Sequence, residues 1–598
     1  MSSVLYIGSA SRKLITAAMW NAAVGSGAFS DIVWEPANGW SVPTADLTTA
    51  QLNLLATDLE FLVNQPDGPR VNIAPNGSQA KSSDPAYYAA AQSLINQMAR
   101  VPSTKMVNII DNGIGFKQVA AFGTSTVGTS AQTATVGVAA TGIAVSWDHW
   151  VNSDSGDLDT DPSGSITFNA SIRVISSTNP GTTIGQLYRL TFKGQNTATL
   201  DPGGTITSDV LGISLMPGDV ISVRTYLASG TAYVGRIVYG TLTPNVGFTA
   251  ASDLTPPGSA AVTSSQGYYF GPSMVLGYPD SASTAKSVGL LGDSIGNGIG
   301  ETGLAFTKPI VAQGFMARAL TAKGGLVNLA EGGDWAQGFQ RTAGSLKRLR
   351  YLERCNSAVI EYGTNDIGGV LSAATVVEAA NLNIASNIRR LGIGKVFITT
   401  LLPRTTSTDA WATTTNQTPI AGESERLNYN AWIRAKCPVN PITLAPVAVG
   451  TSNALLAGQL GHPINGIFDI ASAVESSLNS GFWLPCNRVV NDAVATNGSA
   501  IVTSATANFV NTNQEVGGDI GSSFVVFGAG AGGANFNSAA AGLAIWTIQS
   551  ATQCTVNGNA ATTVSAATMN IGVMTLEGTH PSSHAHHLIS QVIDTSVL

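Results

Sequence analysis

Charge is scarce in this chain. Asp, Glu, Lys and Arg make up only 11% of its 598 residues, well under the usual quarter. The polar surface must come from Ser, Thr, Asn, Gln and Gly, a mix common in extracellular and virion β-proteins. No Lys/Arg run forms a basic stripe, and the formal net charge is -7. Phosphate binding needs clustered cations, so no nucleic-acid partner is expected. Cysteine is sparse too. Cys355, Cys437, Cys486 and Cys554 are far apart and show no C-x-x-C spacing, so neither a zinc site nor a disulfide framework is indicated. Cys486 and Cys554 could pair if their region folds as one unit; four separate thiols is the simpler reading. Long apolar runs are missing, and no membrane span is expected. The opening MSSVLYIGSASRKLITAAMW lacks a basic stretch followed by an apolar one, so no Sec signal is expected. Action outside a cell would then require lysis, another secretion route, or a place in a particle.

Hydrophobic residues are plentiful at 44%. At this length they can build two to four domains. Residues 1–110 read as a mixed, largely helical region suited to anchoring or assembly. One helix is expected over TADLTTAQLNLLATDLEFLVNQ, with Thr44 as N-cap and Leu47, Leu54, Leu55, Leu59 and Leu62 on one stripe. A second is expected from Asp84, with Pro85 at its first position and Pro102 at its end. From 111 to 280 short alternating strands recur. Ile166, Phe168, Ala170, Ile172 and Val174 share one face, and Pro217-Gly218-Asp219 makes a turn. This region is expected to be a β-sandwich or jelly roll. Residues 281–598 alternate strand and helix: VGLLGDS, SAVIEYGTND and KVFITTLLP are buried strands, and AATVVEAANLNIASNIRRLG is a helix ending at Gly392. That pattern predicts a parallel α/β sheet with active residues at the strand C-termini. Residues 487–574 break it with strands and Gly/Asn turns, and read as a small inserted β-domain. Their rhythm weakly resembles that of β-modules in bacteriophage tail proteins. The insert either shapes the cleft or is a tolerated surface insertion.

Four short blocks carry the chemistry. Gly292-Asp293-Ser294 follows an apolar strand. By itself the tripeptide is equally a turn that caps the next helix. Asn328-Leu-Ala-Glu-Gly-Gly333-Asp334, Gly363-Thr-Asn365-Asp366 and Glu577-Gly-Thr-His580-Pro581 follow in order. Together, at strand ends, they resemble the four signature blocks of the SGNH (GDSL-like) serine hydrolases over roughly residues 284–598, the insert excepted. The resemblance implies a flavodoxin-like α/β domain, with Ser294 as nucleophile and His580 as general base. It also implies an oxyanion hole from the amides of Ser294 and Gly333 and the side chain of Asn365. A serine hydroxyl needs a base within hydrogen-bond reach, and imidazole titrates near pH 6.5, suited to passing a proton both ways. Each oxyanion donor contributes roughly 3–4 kcal/mol.

One position departs from the family pattern. Aspartate is usual three residues before the histidine, and here Glu577 stands there. It can still orient the imidazole; a Ser–His dyad with a backbone carbonyl as orienter is the alternative. Asp293, Asp334, Trp335 and Arg404 are candidate substrate contacts, with a core role equally open to Trp335. His584, His586 and His587 look like a metal tract but read better as the start of a last helix capped by Ser582 or Ser583; no metal is assigned. His462 is assigned to a loop, and His149 to a structural place beside Trp147 and Trp150.

The expected activity is carboxylic-ester hydrolysis through an acyl-enzyme, without cofactor. The expected substrate is an acylated glycan or small ester, with O-acetyl removal from a polysaccharide favoured. A lipase- or thioesterase-type activity and a non-catalytic structural or receptor-binding virion protein are the alternatives. A virion or extracellular location follows from composition and the missing Sec signal. Partnership with other tail proteins and a trimeric state accompany that expectation.

Overall fold

The computed structural model describes six short strands within residues 3–70, then residues 105–110, 124–125, 127–152, 159–179, 183–230, 232–233, 235–236, 246–262, 268–280, 285–301, 314–341, 346–537 and 543–598. Two compact units are present: 1–102 with 441–443, and 103–440 with 444–598.

In the first unit, Ser3–Tyr6, Ser41–Pro43, Phe61–Gln65 and Gly68–Arg70 form an antiparallel sheet, and Lys13–Ile15 pairs with Ile32–Trp34. This corrects the helix expected from Thr44 to Gln65, because Phe61–Gln65 pairs with Ser3–Tyr6 instead. Phe61, Leu62 and Val63 suit a strand as well as a helix, and a partner distant in sequence decides between them. The rest of that expected helix, and the one from Asp84, lie outside the described residues.

The second unit begins with two antiparallel sheets. One contains Val107–Asn108, Ala140–Asp148, Thr205–Thr207, Leu211–Leu215 and Met274–Pro279. The other is built on Gly128–Thr135, Ile166–Ser176 and Val220–Ser229, flanked by Leu187–Leu190, Thr197–Leu200 and Val246–Ala250. Residues of both sheets form one apolar core, with Trp147, Phe168, Ile172 and Phe270 at its centre. Val107 and Asn108 already belong to this unit, ahead of the boundary expected at 110.

The α/β domain follows. Its strands are β1 (Ser287–Gly292), β2 (Gly325–Asn328), β3 (Ser357–Glu361), β4 (Lys395–Thr399) and β5 (Gly466–Phe468). They pair in the order β2-β1-β3-β4-β5, all parallel. The helices are α1 (Ser294–Asn297), α2 (Gly314–Leu320), α3 (Ala336–Arg341), α4 (Leu346–Leu352), α5 (Thr364–Gly368), α6 (Ala374–Arg390), α7 (Glu423–Arg434) and α8 (Ser583–Gln591). Every residue of β1 and β3 is buried, the pattern of strands covered on both faces. The strand order switches direction at β1, and the loops after β1, β2 and β3 gather there, as open parallel sheets require of a site.

Between β5 and α8 lies a six-stranded antiparallel sheet of residues 488–571, in the order Phe524–Val526, Val564–Ile571, Arg488–Ala495, Ile501–Thr503, Gln553–Val556 and Ile545–Ser550. It has its own apolar core around Phe509, Phe524, Phe536 and Met569. Cys355, Cys437, Cys486 and Cys554 are all free thiols. Among the described residues no helix is long and apolar enough to cross a membrane.

Candidate active site

The apolar strand β1 delivers Ser294 to the start of α1. Asp293 caps that helix by accepting the Ile295 amide at 2.9 Å. Ser294 is 7% exposed, enough to meet a substrate. Its Oγ lies 2.7 Å from His580 Nε2. His580 Nδ1 lies 2.9 Å from Glu577 Oε1, so the histidine donates to the carboxylate and accepts from the serine, the tautomer being assigned from the network. The same Glu577 oxygen accepts the amides of Thr579, at 3.0 Å, and His580. The extra methylene of glutamate thus lets the carboxylate curl over its own turn and reach the ring. Burial works to raise Glu577, but these hydrogen bonds and the neighbouring imidazole hold it below the ordinary carboxylate range.

The histidine loop is fixed from several sides. Gly578 O accepts the Thr405 amide at 3.0 Å and the Trp483 indole at 3.1 Å. Ser582 caps α8. Behind it, Arg318 grips Glu301 at 2.7 Å, and Ser583 donates to the same buried carboxylate. The other histidines of this tract are not poised for a shared ligand. His584 sits between Gln514 and Asn487, at 3.0 and 3.1 Å, and His586 meets Ile299 O at 3.1 Å. Among the described residues no cluster of three or more His, Cys, Asp or Glu is arranged to hold a metal ion. His462 and His149 are buried, each bonded to backbone carbonyls.

The loops after β2 and β3 bring in Gly333 and Asn365. Gly333 is exposed with φ +80°, and its amide donates to no described residue. Asn365 Nδ2 donates to Asp334 O at 2.8 Å, which leaves its second N–H for another acceptor. Asp366 accepts the Ala336 and Gln337 amides at 2.9 and 3.1 Å, so the third block caps the helix that follows the second. Asn328 Nδ2 donates to Gly296 O at 3.0 Å and Asn297 Nδ2 to Ala330 O at 2.9 Å, tying the second block to the first.

Two expected substrate contacts are corrected. Asp293 and Asp334 are each 0% exposed and cannot touch a ligand. Their carboxylates are needed inside, Asp293 as the cap of α1 and Asp334 as acceptor from Arg348 and Tyr362, both at 2.6 Å. Trp335 is half-buried against Gly338. Arg404 is half-buried between the asparagine and histidine loops, 3.4 Å from Thr364 O and 3.5 Å from Thr579 Oγ1.

Sequence reasoning missed Glu361. It ends β3, fully buried, and its Oε2 accepts the Gly296 amide at 2.9 Å and the Asp293 amide at 3.3 Å. It is therefore the floor on which α1 rests. Burial and the nearby Asp293 push its carboxyl well above the usual range, against those two amides. A lone acid at the end of an apolar strand reads as the start of a polar loop. The available signal was Gly292 and Gly296, whose missing side chains make its room.

No family model matches the chain, and no curated protein does. Solved structures show slight likeness. YxiM of Bacillus subtilis matches at 13% identity and a TM-score of 0.20, over 50% of this chain and 65% of that one, just under two thirds of its length. A family two carbohydrate esterase from Clostridium thermocellum, solved with cellohexaose, matches at 14% and 0.19, over 51% and 79%. Another, from Cellvibrio japonicus, matches at 10% and 0.17, over 50% and 77%.

Proposed function

We propose that this chain is a serine esterase of the SGNH type that removes O-acyl groups, O-acetyl foremost, from a polysaccharide or cell-surface glycan. The observation that carries the reading is the relay from Ser294 Oγ to His580 Nε2 at 2.7 Å and from His580 Nδ1 to Glu577 at 2.9 Å. In that arrangement His580 takes the serine proton as Oγ attacks the ester carbonyl, and Glu577 stabilises the resulting imidazolium. The tetrahedral oxyanion lies among the amides of Ser294 and Gly333 and the free N–H of Asn365. His580 then hands its proton to the departing sugar hydroxyl. Water, deprotonated by the same ring, attacks the acyl-serine, and the ring returns that proton to Ser294 Oγ as the acid leaves. The two β-modules and the charge-poor, hydroxyl-rich composition support a glycan substrate and a place on a secreted or virion surface.

The test is p-nitrophenyl acetate hydrolysis. Ser294→Ala is expected to fall by on the order of 10⁶-fold in kcat, to background. Glu577→Ala is expected to lose ~10⁴-fold yet remain measurable. Equal background rates in wild type and Ser294→Ala would leave a non-catalytic virion protein as the better reading. Acetate release from acetylated glycans, set against cleavage of long-chain esters, separates the deacetylase from a lipase.

A further inference from the structure

Arg404 follows β4 by way of the buried residues Leu401, Leu402 and Pro403 and reaches the asparagine and histidine loops. Its guanidinium bridges the residue before Asn365 and the residue before His580. Both contacts, 3.4 Å to Thr364 O and 3.5 Å to Thr579 Oγ1, are at the long limit of a hydrogen bond. A side chain at Gly368 would place its Cβ 1.4 Å from Arg404 Nη1, so the tip of the cation fills the space that only a glycine leaves open at the end of α5.

Four other arginines around the sheet are held differently, while Arg389 of α6 turns its guanidinium to the carbonyls of Ile393 and Gly394. Arg318, Arg348, Arg426 and Arg434 each meet a carboxylate at 2.6–3.1 Å. Among the described residues, no carboxylate stands within 4.0 Å of Arg404, and its Nη2 has no hydrogen-bond partner. Half-burying a guanidinium without a counter-ion costs free energy. Burial is the main influence on it, lowering its pKa, while Asp293 and Glu577 are close enough to oppose that without pairing. In a chain with so few charges, an unpaired cation at the rim of a catalytic cleft calls for an anion from outside.

We propose that Arg404 is the anion-recognising group of this cleft, and that the acyl-bearing sugar it takes carries a carboxylate, as a uronic or similar acidic sugar does. The inference rests on the esterase reading and names its substrate class. Chemistry favours the match, because the planar fork of arginine receives a carboxylate through two parallel N–H bonds. The weak contacts to Thr364 and Thr579 are cheap to give up, and both lie one residue from groups that handle the ester. An acid bound there would be fixed next to the reacting carbonyl, where small misplacements cost rate.

The experiment uses matched pairs: O-acetylated galacturonan and an O-acetylated sialoside, each with its carboxyl free or methyl-esterified, with p-nitrophenyl acetate alongside. Wild type is expected to release acetate from at least one free acid with kcat/KM ten-fold or more above its methyl ester. In Arg404→Met that preference collapses, and kcat/KM on the free acid falls at least ten-fold further than on p-nitrophenyl acetate. Arg404→Lys, which keeps the charge and loses the fork, lies between. Indifference to methylation, or inactivity on every member of the pairs, overturns the inference. So does an equal loss on acidic and neutral esters in Arg404→Met, which would make the arginine a positioning residue. Failure of wild type on p-nitrophenyl acetate as well would instead sink the esterase reading.

Discussion

Asp293 lies directly beneath the serine it precedes. Burial pushes its carboxyl up to about 7; the Ile295 amide and His580 pull against that rise, and Asp334 and Asp366 add to it. An unfolded aspartate titrates near ~3.9. Between these values the unfolded chain sheds the proton while the folded chain keeps it. The stabilisation from this group is therefore complete below pH ~4, shrinks as pH rises to about 7, and changes no further above it. Asparagine caps a helix as well as aspartate and does not titrate. Asp293→Asn is therefore expected to gain Tm relative to wild type from pH 4 to 7 and hold that gain at pH 8.5. A Tm difference that does not vary with pH would count against it. The same residue shows what sequence does not display. The nucleophile block marks Asp293 as a polar residue beside the serine, but only its 0% exposure shows that it serves the helix rather than the ligand. Ser294, Asn365 and His580 were easier to single out, because their blocks stand in a fixed chain order and the first two directly follow fully buried apolar strands.

At the level of elements, α1 is a four-residue helix seated on one buried acid. A methyl group at position 296 would stand 2.8 Å from Glu361 Oε2 and 3.0 Å from the Ala330 side chain, so α1 would have to lift. Gly296→Ala is expected to cost ~1–3 kcal/mol, as overpacking does, and to lower kcat on p-nitrophenyl acetate by ~10²-fold through displacement of the serine. Thermal melts and initial rates check both, and a normal kcat would show that Glu361 yields instead. Long elements with strong periodicity were legible. The helix expected over 373–392 is α6, Ala374–Arg390, because its apolar stripe and its terminal arginines and Gly392 all point the same way. Phe61–Gln65 was not, because its strand partner is Ser3–Tyr6, nearly sixty residues away. Glu361 was not either, because the room it fills belongs to a different strand and helix.

Across the second unit, sandwich and α/β domain share packing. Met106, Ala144, Trp150, Met274 and Leu276 belong to the same apolar cluster as β3 and α6. Trp150 lies 5.6 Å from Tyr351 of α4, ring to ring, and the Tyr351 hydroxyl donates to Asp148 at 2.5 Å. Trp150→Ala leaves a cavity costing ~3–5 kcal/mol. It is expected to lower the temperature at which the proposed esterase activity is lost, together with the Tm of the sandwich, although Trp150 is far from Ser294 in sequence. Activity that survives to the wild-type temperature would show two independent modules. The inserted sheet is joined in the same manner. Asn570 Nδ2 donates to Asp409 O and Ala410 O at 2.9 and 3.2 Å, and its last strand ends at Ile571, six residues before Glu577.

At the seam, a Cβ on Gly137 of the sandwich would lie 1.9 Å from Gly324 O at the root of β2. Main chain rests on main chain there, with no side chain between to slide or roll. Such a joint is a weld and not a hinge. Within this unit the sandwich is held at one span from Ser294, like the jaws of a caliper locked at a single setting.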